Sequence, residues 1–235
     1  MTIELFREDG YRKECDAKVL SADNRGICVD QTVFYPLGGG QPGDTGTLIR
    51  ENGETIAILD TRKDPDTGAH LHIPQTDVGL PEPGEQVQLR LNWERRHRLM
   101  RMHSCMHLLC AVVPAGVTGG SVRDGSARLD FDLPEPPDKA EIERETNRLI
   151  AENHPMTQEW IPDDALERQP ELIRTMSVKP PLGTGKVRLV RFHDVDLQPC
   201  GGTHVASSGE IGQIRVKKIE KKGKRNRRIT IVFAE

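Results

Sequence analysis

The spacing of hydrophobic residues along the chain changes at Trp93. Before it, short apolar runs such as AKVLSADNRGICVD and ETIAILDTR are broken by Gly, Pro, Asn and Asp, and apolar residues alternate with polar ones at Val87, Leu89 and Leu91. A period of two is typical of half-buried strands, and frequent breakers mark turns. Residues 1–92 are therefore predicted to form a β-rich domain, either a small barrel-like unit or a sandwich.

A helix is predicted directly after this domain. No Gly or Pro occurs between Trp93 and Val113, Asn92 is a suitable N-cap, and Pro114 stops the run. Apolar residues recur there at spacings of three and four, the period of one helical face: Leu99, Met102, Met106, Leu109 and Val113.

The remaining pattern mixes strands with helices, so residues 93–235 are predicted to form a second domain. Asp124-Gly125 lies between two strand-like runs and predicts a hairpin. A second helix is predicted to begin at Asp138, which has capping-box spacing to Glu141, and a short helix follows Pro162. Strands are predicted in KVRLVRF, EIGQIRVKKIE and RRITIVFAE. The fold class is therefore α+β, with helices packed on an antiparallel sheet.

Composition limits the class of protein. Hydrophobic residues make up 35% of the chain and charged residues 29%, which favours a soluble, folded protein. There is no apolar run near the roughly 20 residues that span a bilayer, and no signal-peptide pattern, so we expect a cytoplasmic protein without membrane contact. Five scattered cysteines argue against a disulfide framework. The net charge of −3 means that nucleic-acid binding would require a local basic patch.

A candidate metal site is divided between two distant segments. His103 and His107 are four residues apart on the predicted helix, so both imidazoles project from one face. Cys200 and His204, separated by Gly201, Gly202 and Thr203, offer a second pair. Three nitrogens and one sulfur suit tetrahedral Zn²⁺. Neither pair is strong evidence alone, and the prediction of one zinc ion per chain requires that they converge.

The other cysteines and histidines receive simpler interpretations. Cys105 lies on a different helical face from His103 and is predicted to be a small buried hydrophobic residue. The same is expected of Cys15, Cys28 and Cys110. Four further histidines have no partner at metal-binding spacing and are expected to be ordinary surface or loop residues: His70, His72, His154 and His193.

Three motifs together carry a family resemblance. In chain order these are GGGQPGDTG, HSCMH and the distant CGGTHV. In this order, and over nearly the whole chain, they resemble the editing domain of alanyl-tRNA synthetase and its freestanding relatives, the alanyl-tRNA editing proteins. The resemblance implies hydrolysis of tRNA for alanine that carries serine, or glycine, with zinc held by the four residues of the two pairs. No segment resembles an aminoacylation core, so the expected activity is editing in trans without ATP.

The resemblance also suggests substrate-binding residues. Gln41, from the glycine-rich motif, is predicted to be catalytic and to contact the substrate, and Gly38, Gly39 and Gly40 are predicted to bring backbone N–H groups close to it. Thr118 is a further candidate polar group. The alternatives are a plain tight turn for the glycines and an ordinary strand residue for Thr118.

Basic residues near the C-terminus are candidate tRNA contacts. A hairpin turn is predicted at KKGKRN, and eight Lys or Arg residues surround it against the single acid Glu220: Lys217, Lys218, Lys221, Lys222, Lys224, Arg225, Arg227 and Arg228. Arg95, Arg96, Arg98 and Arg101 add positive charge around the predicted zinc helix. The alternative is a solvated edge that prevents strand aggregation.

Two further questions stay open at the level of sequence. Four protein ligands are typical of structural zinc, whereas catalytic zinc usually keeps one open position. The alternatives to an editing hydrolase are an RNA-binding module with a structural zinc and no catalysis, and a zinc hydrolase that acts on a small molecule. The sequence gives no indication of the oligomeric state.

Overall fold

The computed structural model describes residues 2–176 and 185–234, and the chain divides into two compact units, residues 1–97 and 98–235. The first unit is built from strands joined by short turns. Their bounds are β1 (Ile3–Glu4), β2 (Glu14–Asp23), β3 (Gly26–Val29), β4 (Gln31–Thr32), β5 (Gly46–Arg50), β6 (Thr55–Lys63), β7 (His70–Pro74) and β8 (Gln86–Leu91).

Six of these strands close into a barrel in the order β2-β3-β7-β6-β5-β8. Along β2 and β8, buried and exposed residues alternate, so each strand turns one apolar face inward. Ile27, Val29, Phe34, Leu48 and Leu89 are completely buried in this core. The predicted barrel-like domain is confirmed, and closure leaves the sheet without free edges.

Two histidines of the first unit were expected at the surface, and that expectation is wrong. His70 and His72 are both buried in β7, and their rings stack with centroids 5.2 Å apart. His72 Nδ1 lies 3.0 Å from the carbonyl oxygen of Ile27, which only accepts, so this nitrogen donates. Its Nε2 lies 2.8 Å from the hydroxyl of Thr32, which donates to it. The completely buried ring is therefore neutral, and both of its nitrogens are hydrogen-bonded.

Acid is expected to destabilise the protein through His72. Burial lowers the pKa of His72 to about 3, whereas an exposed histidine titrates near 6.5. Between these values the unfolded chain binds a proton that the folded protein does not, so stability falls as the pH drops through this window. At pH 5 the loss is about 2 kcal/mol. Urea unfolding of the parent and of His72→Gln at pH 7.5 and pH 5 measures the difference, and equal pH dependence in both proteins would contradict the assignment.

The second unit contains helices and two antiparallel sheets. The helix α1 (Trp93–Val112) begins within the residues of the first unit and ends in the second. It is followed by β9 (Val117–Arg123), β10 (Ser126–Asp132), α2 (Lys139–Ala151), β11 (Met156–Pro162), α3 (Asp163–Glu167), β12 (Lys186–Phe192), β13 (Asp196–Pro199), β14 (Ile214–Lys221) and β15 (Asn226–Phe233).

The sheets of the second unit have the strand orders β14-β15-β10-β9 and β11-β12-β13. Asp138 caps α2 by accepting hydrogen bonds from the N–H groups of Ala140 and Glu141, as predicted. The predicted α+β class and both hairpins, β9–β10 and β14–β15, are confirmed. No helix in the described parts of the chain is long and apolar enough to cross a bilayer.

Two described strands of the second unit were not predicted, and the reason differs for each. β11 is an edge strand whose residues are mostly exposed, so it lacks apolar alternation. β13 has only four residues, and its buried positions are the polar Asp196 and Gln198. The second omission matters, because β13 leads directly to Cys200.

Candidate metal centre

The helix α1 carries two candidate ligands on one face. His103 and His107 are both buried, and their ring centroids are 5.7 Å apart, as expected for residues one turn apart. Cys105 lies between them in sequence and is completely buried. This confirms its predicted role as a packing residue. Cys110 is also buried, whereas Cys28 is half-exposed.

The CGGTH segment follows β13 and is held by a buried arginine. The N–H of Cys200 donates to the carbonyl oxygen of Arg188 at 3.0 Å, and Arg188 Nε donates back to the carbonyl oxygen of Cys200 at 3.0 Å. The same guanidinium also donates to the carbonyl oxygen of Gly202. Arg188 belongs to the regular strand β12, so its hydrogen bonds fix the backbone of residues 200–204, which we call the ligand loop.

One hydrogen bond fastens this loop to α1. The N–H of Val205 donates to the hydroxyl of Ser104 at 3.1 Å, across 101 residues of sequence. Ser104 is completely buried and follows His103 directly. Its hydroxyl therefore ties the CxxxH pair to the HxxxH pair.

The four predicted ligands converge. Cys200 Sγ lies 3.5 Å from His103 Nε2 and 3.5 Å from His204 Nε2, and the Nε2 atoms of His204 and His107 are 3.0 Å apart. All four ligand atoms lie within 4.8 Å of one another. In a tetrahedral zinc site, bonds of about 2.0–2.3 Å place ligand atoms roughly 3.3–3.6 Å apart. The donor set therefore suits a tetrahedrally coordinated metal ion, and the two separations from Cys200 Sγ lie in this range.

The electrostatics of the cluster favour the ligand form of the cysteine. Burial alone raises the pKa of the Cys200 thiol, but the neighbouring His103 and His204 and the hydrogen bonds from His103 and His107 outweigh it and hold that pKa well below its usual range. Burial lowers the pKa of His204 to about 3, so its imidazole is neutral at pH 7. A thiolate and a neutral imidazole are the forms that bind metal.

Sequence reasoning missed two polar side chains beside the cluster. Asp196 Oδ2 lies 2.8 Å from His107 Nδ1, and Gln198 Nε2 donates to the same oxygen at 2.8 Å. Burial would lower the pKa of His107, but the hydrogen bonds with Asp196 and Cys200 and the negative charges of these two groups raise it to about 9. The available signal was the spacing of two polar residues at i and i+2 just before CGGTH, which places both on one face of a strand.

Comparisons with known proteins agree with this geometry. Residues 187–230, which include Cys200 and His204, match the family described as the threonyl and alanyl tRNA synthetase second additional domain. Residues 4–95 match the family described as tRNA synthetases class II (A). The alanyl-tRNA editing protein AlaX-M of Methanosarcina barkeri is 35% identical over the full length of both chains, and that of Methanosarcina acetivorans is 34% identical over 97% of this chain and 98% of its own. The chain belongs to the family of alanyl-tRNA editing proteins.

The editing family's relation to the synthetase is also visible in the comparisons. The alanine–tRNA ligase of Pyrobaculum arsenaticum is 35% identical over 94% of this chain, but this match covers only 25% of the ligase. The similarity is therefore to one part of that enzyme.

The glycine-rich motif of this editing-family protein forms a tight turn. The N–H of Gln41 donates to the carbonyl oxygen of Gly38 at 2.9 Å, and the reciprocal bond is 3.1 Å. Gly39 and Gly40, in the middle of the turn, both have positive φ, which favours glycine. Gly43 has a different reason, since a Cβ there would meet the carbonyl oxygen of Thr61 at 2.0 Å. Local geometry thus explains these glycines without a ligand.

The other predicted substrate residues have defined places. Gln41 is completely buried. Thr118 is half-buried in β9, and its hydroxyl donates to the carbonyl oxygen of Asp130 on β10 at 3.1 Å. Neither observation tests a role in binding, so both assignments stay predictions.

The predicted tRNA-binding residues of the β14–β15 hairpin fall into two groups. Arg225 and Arg228 form ion pairs with Asp132 and Asp130 at 2.8 and 2.7 Å, and Arg227 is buried, with its guanidinium donating to the carbonyl oxygens of Pro134 and Gly223. Lys218 and Lys222 both pair with Glu220. The remaining lysines are exposed, and among the described residues none of them forms an ion pair: Lys217, Lys221 and Lys224.

Proposed function

We propose that this protein hydrolyses the ester of mischarged tRNA for alanine, chiefly Ser-tRNA and also Gly-tRNA, as a separate protein acting in trans. The observation that carries the proposal is the convergence of His103, His107, Cys200 and His204 in a chain that matches editing proteins over its full length. In the reaction, water adds to the ester carbonyl carbon and the bond to the ribose oxygen breaks. The ribose hydroxyl regains a proton, and the amino acid leaves free.

We propose one zinc ion per chain as the group held by the cluster. When bound, zinc supplies Lewis-acid chemistry, which polarises a carbonyl and lowers the pKa of water toward about 7. The chain's own contribution is to keep the donors in place. Arg188 fixes the backbone of the ligand loop, and Ser104 ties that loop to the helix that carries the histidine pair.

The selectivity has a physical basis. An alanine pocket distinguishes serine or glycine by only about 1–3 kcal/mol, because the difference is one hydroxyl or one methyl group. A hydrolytic site that hydrogen-bonds the serine hydroxyl reverses the preference, since alanine would leave its polar groups unpaired. We propose Gln41 as the principal contact to the substrate, assisted by the Gly38–Gly40 turn and by Thr118. Gln41 is the stronger candidate because it belongs to the family motif.

The test is deacylation of Ser-tRNA and Ala-tRNA, both on tRNA for alanine, by zinc-loaded and by chelated protein. We expect rapid loss of serine with alanine retained, no ATP requirement, and loss of activity on chelation. Bound tRNA without turnover would support the alternative, an RNA-binding module with a structural zinc. Gln41→Ala in the same assay tests the proposed contact, and the parent rate in that variant would remove Gln41 from the site.

The partner is tRNA, and we propose that the protein meets it in the cytoplasm. We also propose that the three lysines of the β14–β15 hairpin without an ion pair contact the phosphates of the tRNA. Replacing Lys217, Lys221 and Lys224 together with alanine is expected to weaken tRNA binding about 10-fold or more at moderate salt. The slope of log K against log salt should decrease by about one for each lost phosphate contact. Filter binding across a salt series measures both quantities.

A matched control removes the same charge elsewhere. Arg144, Arg148 and Arg168 are exposed and form ion pairs with acids of their own helices, Glu141, Glu145 and Asp164. The triple alanine variant at these arginines lowers the net charge equally and should leave the salt slope near that of the parent. If both variants bind tRNA alike, the hairpin is only a solvated sheet edge.

A further inference from the structure

Asp196 is a buried carboxylate whose position is set by the strand that leads into the ligand loop. Its side chain is completely shielded from solvent, and Oδ2 lies 2.8 Å from His107 Nδ1. Residues alternate across β13, so Asp196 and Gln198 turn to the same buried side. Burying a charged carboxylate away from water costs free energy, so its hydrogen-bond and charge partners must compensate that cost.

Three groups surround this carboxylate. His107 and Gln198 both meet Oδ2, with Gln198 Nε2 at 2.8 Å. Oδ1 is buried without a hydrogen bond among the described residues, and the guanidinium of Arg174 lies 3.9 Å from it. Among the described residues, Oδ2 therefore contacts both the Gln198 amide and the His107 imidazole, while Oδ1 faces the positive charge of Arg174.

The contact fixes the tautomer of His107. A carboxylate accepts but does not donate, so the hydrogen between the two groups belongs to Nδ1 of the ring. Since Nδ1 keeps its hydrogen in this contact, Nε2 is the nitrogen left to bind an ion, and it lies 3.0 Å from His204 Nε2, on the side of the four-residue cluster. A metal-bound histidine whose other nitrogen donates to a carboxylate is better oriented and a stronger ligand.

We infer that Asp196 is a positioning residue of the metal centre, which holds His107 in the tautomer that presents Nε2 to the ion, and that Gln198 and Arg174 hold Asp196 in turn. The inference rests on the proposed metal role of the cluster. It assigns Asp196 no contact with the substrate. A purely structural Asp196 would instead contribute to the stability of the metal-free fold and leave metal affinity unchanged.

The test measures zinc affinity of the full chain by competition with a chromogenic chelator. Asp196→Asn keeps the size of the side chain and removes its charge, and we expect zinc affinity to fall about 10–100-fold. Asp194→Asn is the matched control, because it removes the same charge two residues away from an exposed position with φ 60°, a conformation that asparagine adopts readily. Zinc affinity within threefold of the parent in Asp196→Asn would overturn the inference.

A second measurement requires no substitution and covers the case in which Asp196→Asn does not fold. In ¹⁵N NMR spectra of the zinc-loaded parent, His107 should carry its proton on Nδ1; a proton on Nε2 overturns the inference.

Gln198→Met, which removes the amide that orients Asp196, should also lower zinc affinity, but by less than Asp196→Asn does. Deacylation is scored separately: a parent that binds zinc as expected but leaves Ser-tRNA intact disproves the proposed function and not the role of Asp196.

Discussion

Cys200→Ala is expected to lose both tight zinc binding and deacylation of Ser-tRNA. Zinc binding to four protein ligands is worth about 10–16 kcal/mol, so one ligand of four accounts for about 3–4 kcal/mol. That corresponds to a loss of about two to three orders of magnitude in zinc affinity. Cys200 is also the one sulfur donor among the four residues of the cluster, so the other three residues cannot supply its negative charge. Zinc content after dialysis and chelator competition give the affinity, and the Ser-tRNA assay gives the rate.

Cys105→Ala is the control for this experiment. Cys105 is completely buried in the same helix, and burial raises the pKa of its thiol to about 12, so it remains protonated and is not a ligand. Its replacement should cost some stability through lost packing and leave zinc affinity near that of the parent. If Cys200→Ala binds zinc as tightly as Cys105→Ala, the cluster does not hold the ion as proposed.

The candidate metal ligands could be predicted from the sequence because their signal is local. A histidine pair at i and i+4 on a strongly periodic helix fixes two side chains on one face, and CGGTH fixes another pair within five residues. The convergence of the two pairs could only be hypothesised. It depends on the hydrogen bond from Val205 to Ser104 and on the anchoring of the loop by Arg188, which join residues distant in sequence.

What the sequence did not reveal are buried polar residues whose partners are far away. Asp196 and Gln198 lie on a strand too short for a periodic signal. His72 was assigned to the surface because it has no partner at metal-binding spacing, yet it is completely buried in β7. Arg96 was taken as one of several charges spread around α1, but it is completely buried. In each case the compensating contact comes from another element, and composition and spacing do not record it.

Breaking the Arg96–Asp44 pair is the change with the largest expected effect on stability. Arg96 Nε lies 3.0 and 2.9 Å from the two carboxylate oxygens of Asp44, and its guanidinium also donates to the carbonyl oxygens of Gly10 and Val33. Asp44, which belongs to the GGGQPGDTG motif, additionally accepts a hydrogen bond from the N–H of Tyr35. The pair therefore joins the motif to the first turn of α1, entirely within the first unit.

Asp44→Asn or Arg96→Met alone is expected to lower the free energy of unfolding by about 3–5 kcal/mol, because each leaves a buried charge without its partner. The double variant should be less destabilised than the sum of the two single variants, since neither charge then remains buried and unpaired. Glu14 and Arg90 form the matched control: this barrel pair is half-exposed on both sides, and the same kinds of change there should cost at most about 1 kcal/mol. Urea unfolding of all variants measures these differences. Additive losses at Asp44 and Arg96 would show that the two side chains act independently. The contribution of Asp44 to stability would then not depend on its ion pair with Arg96.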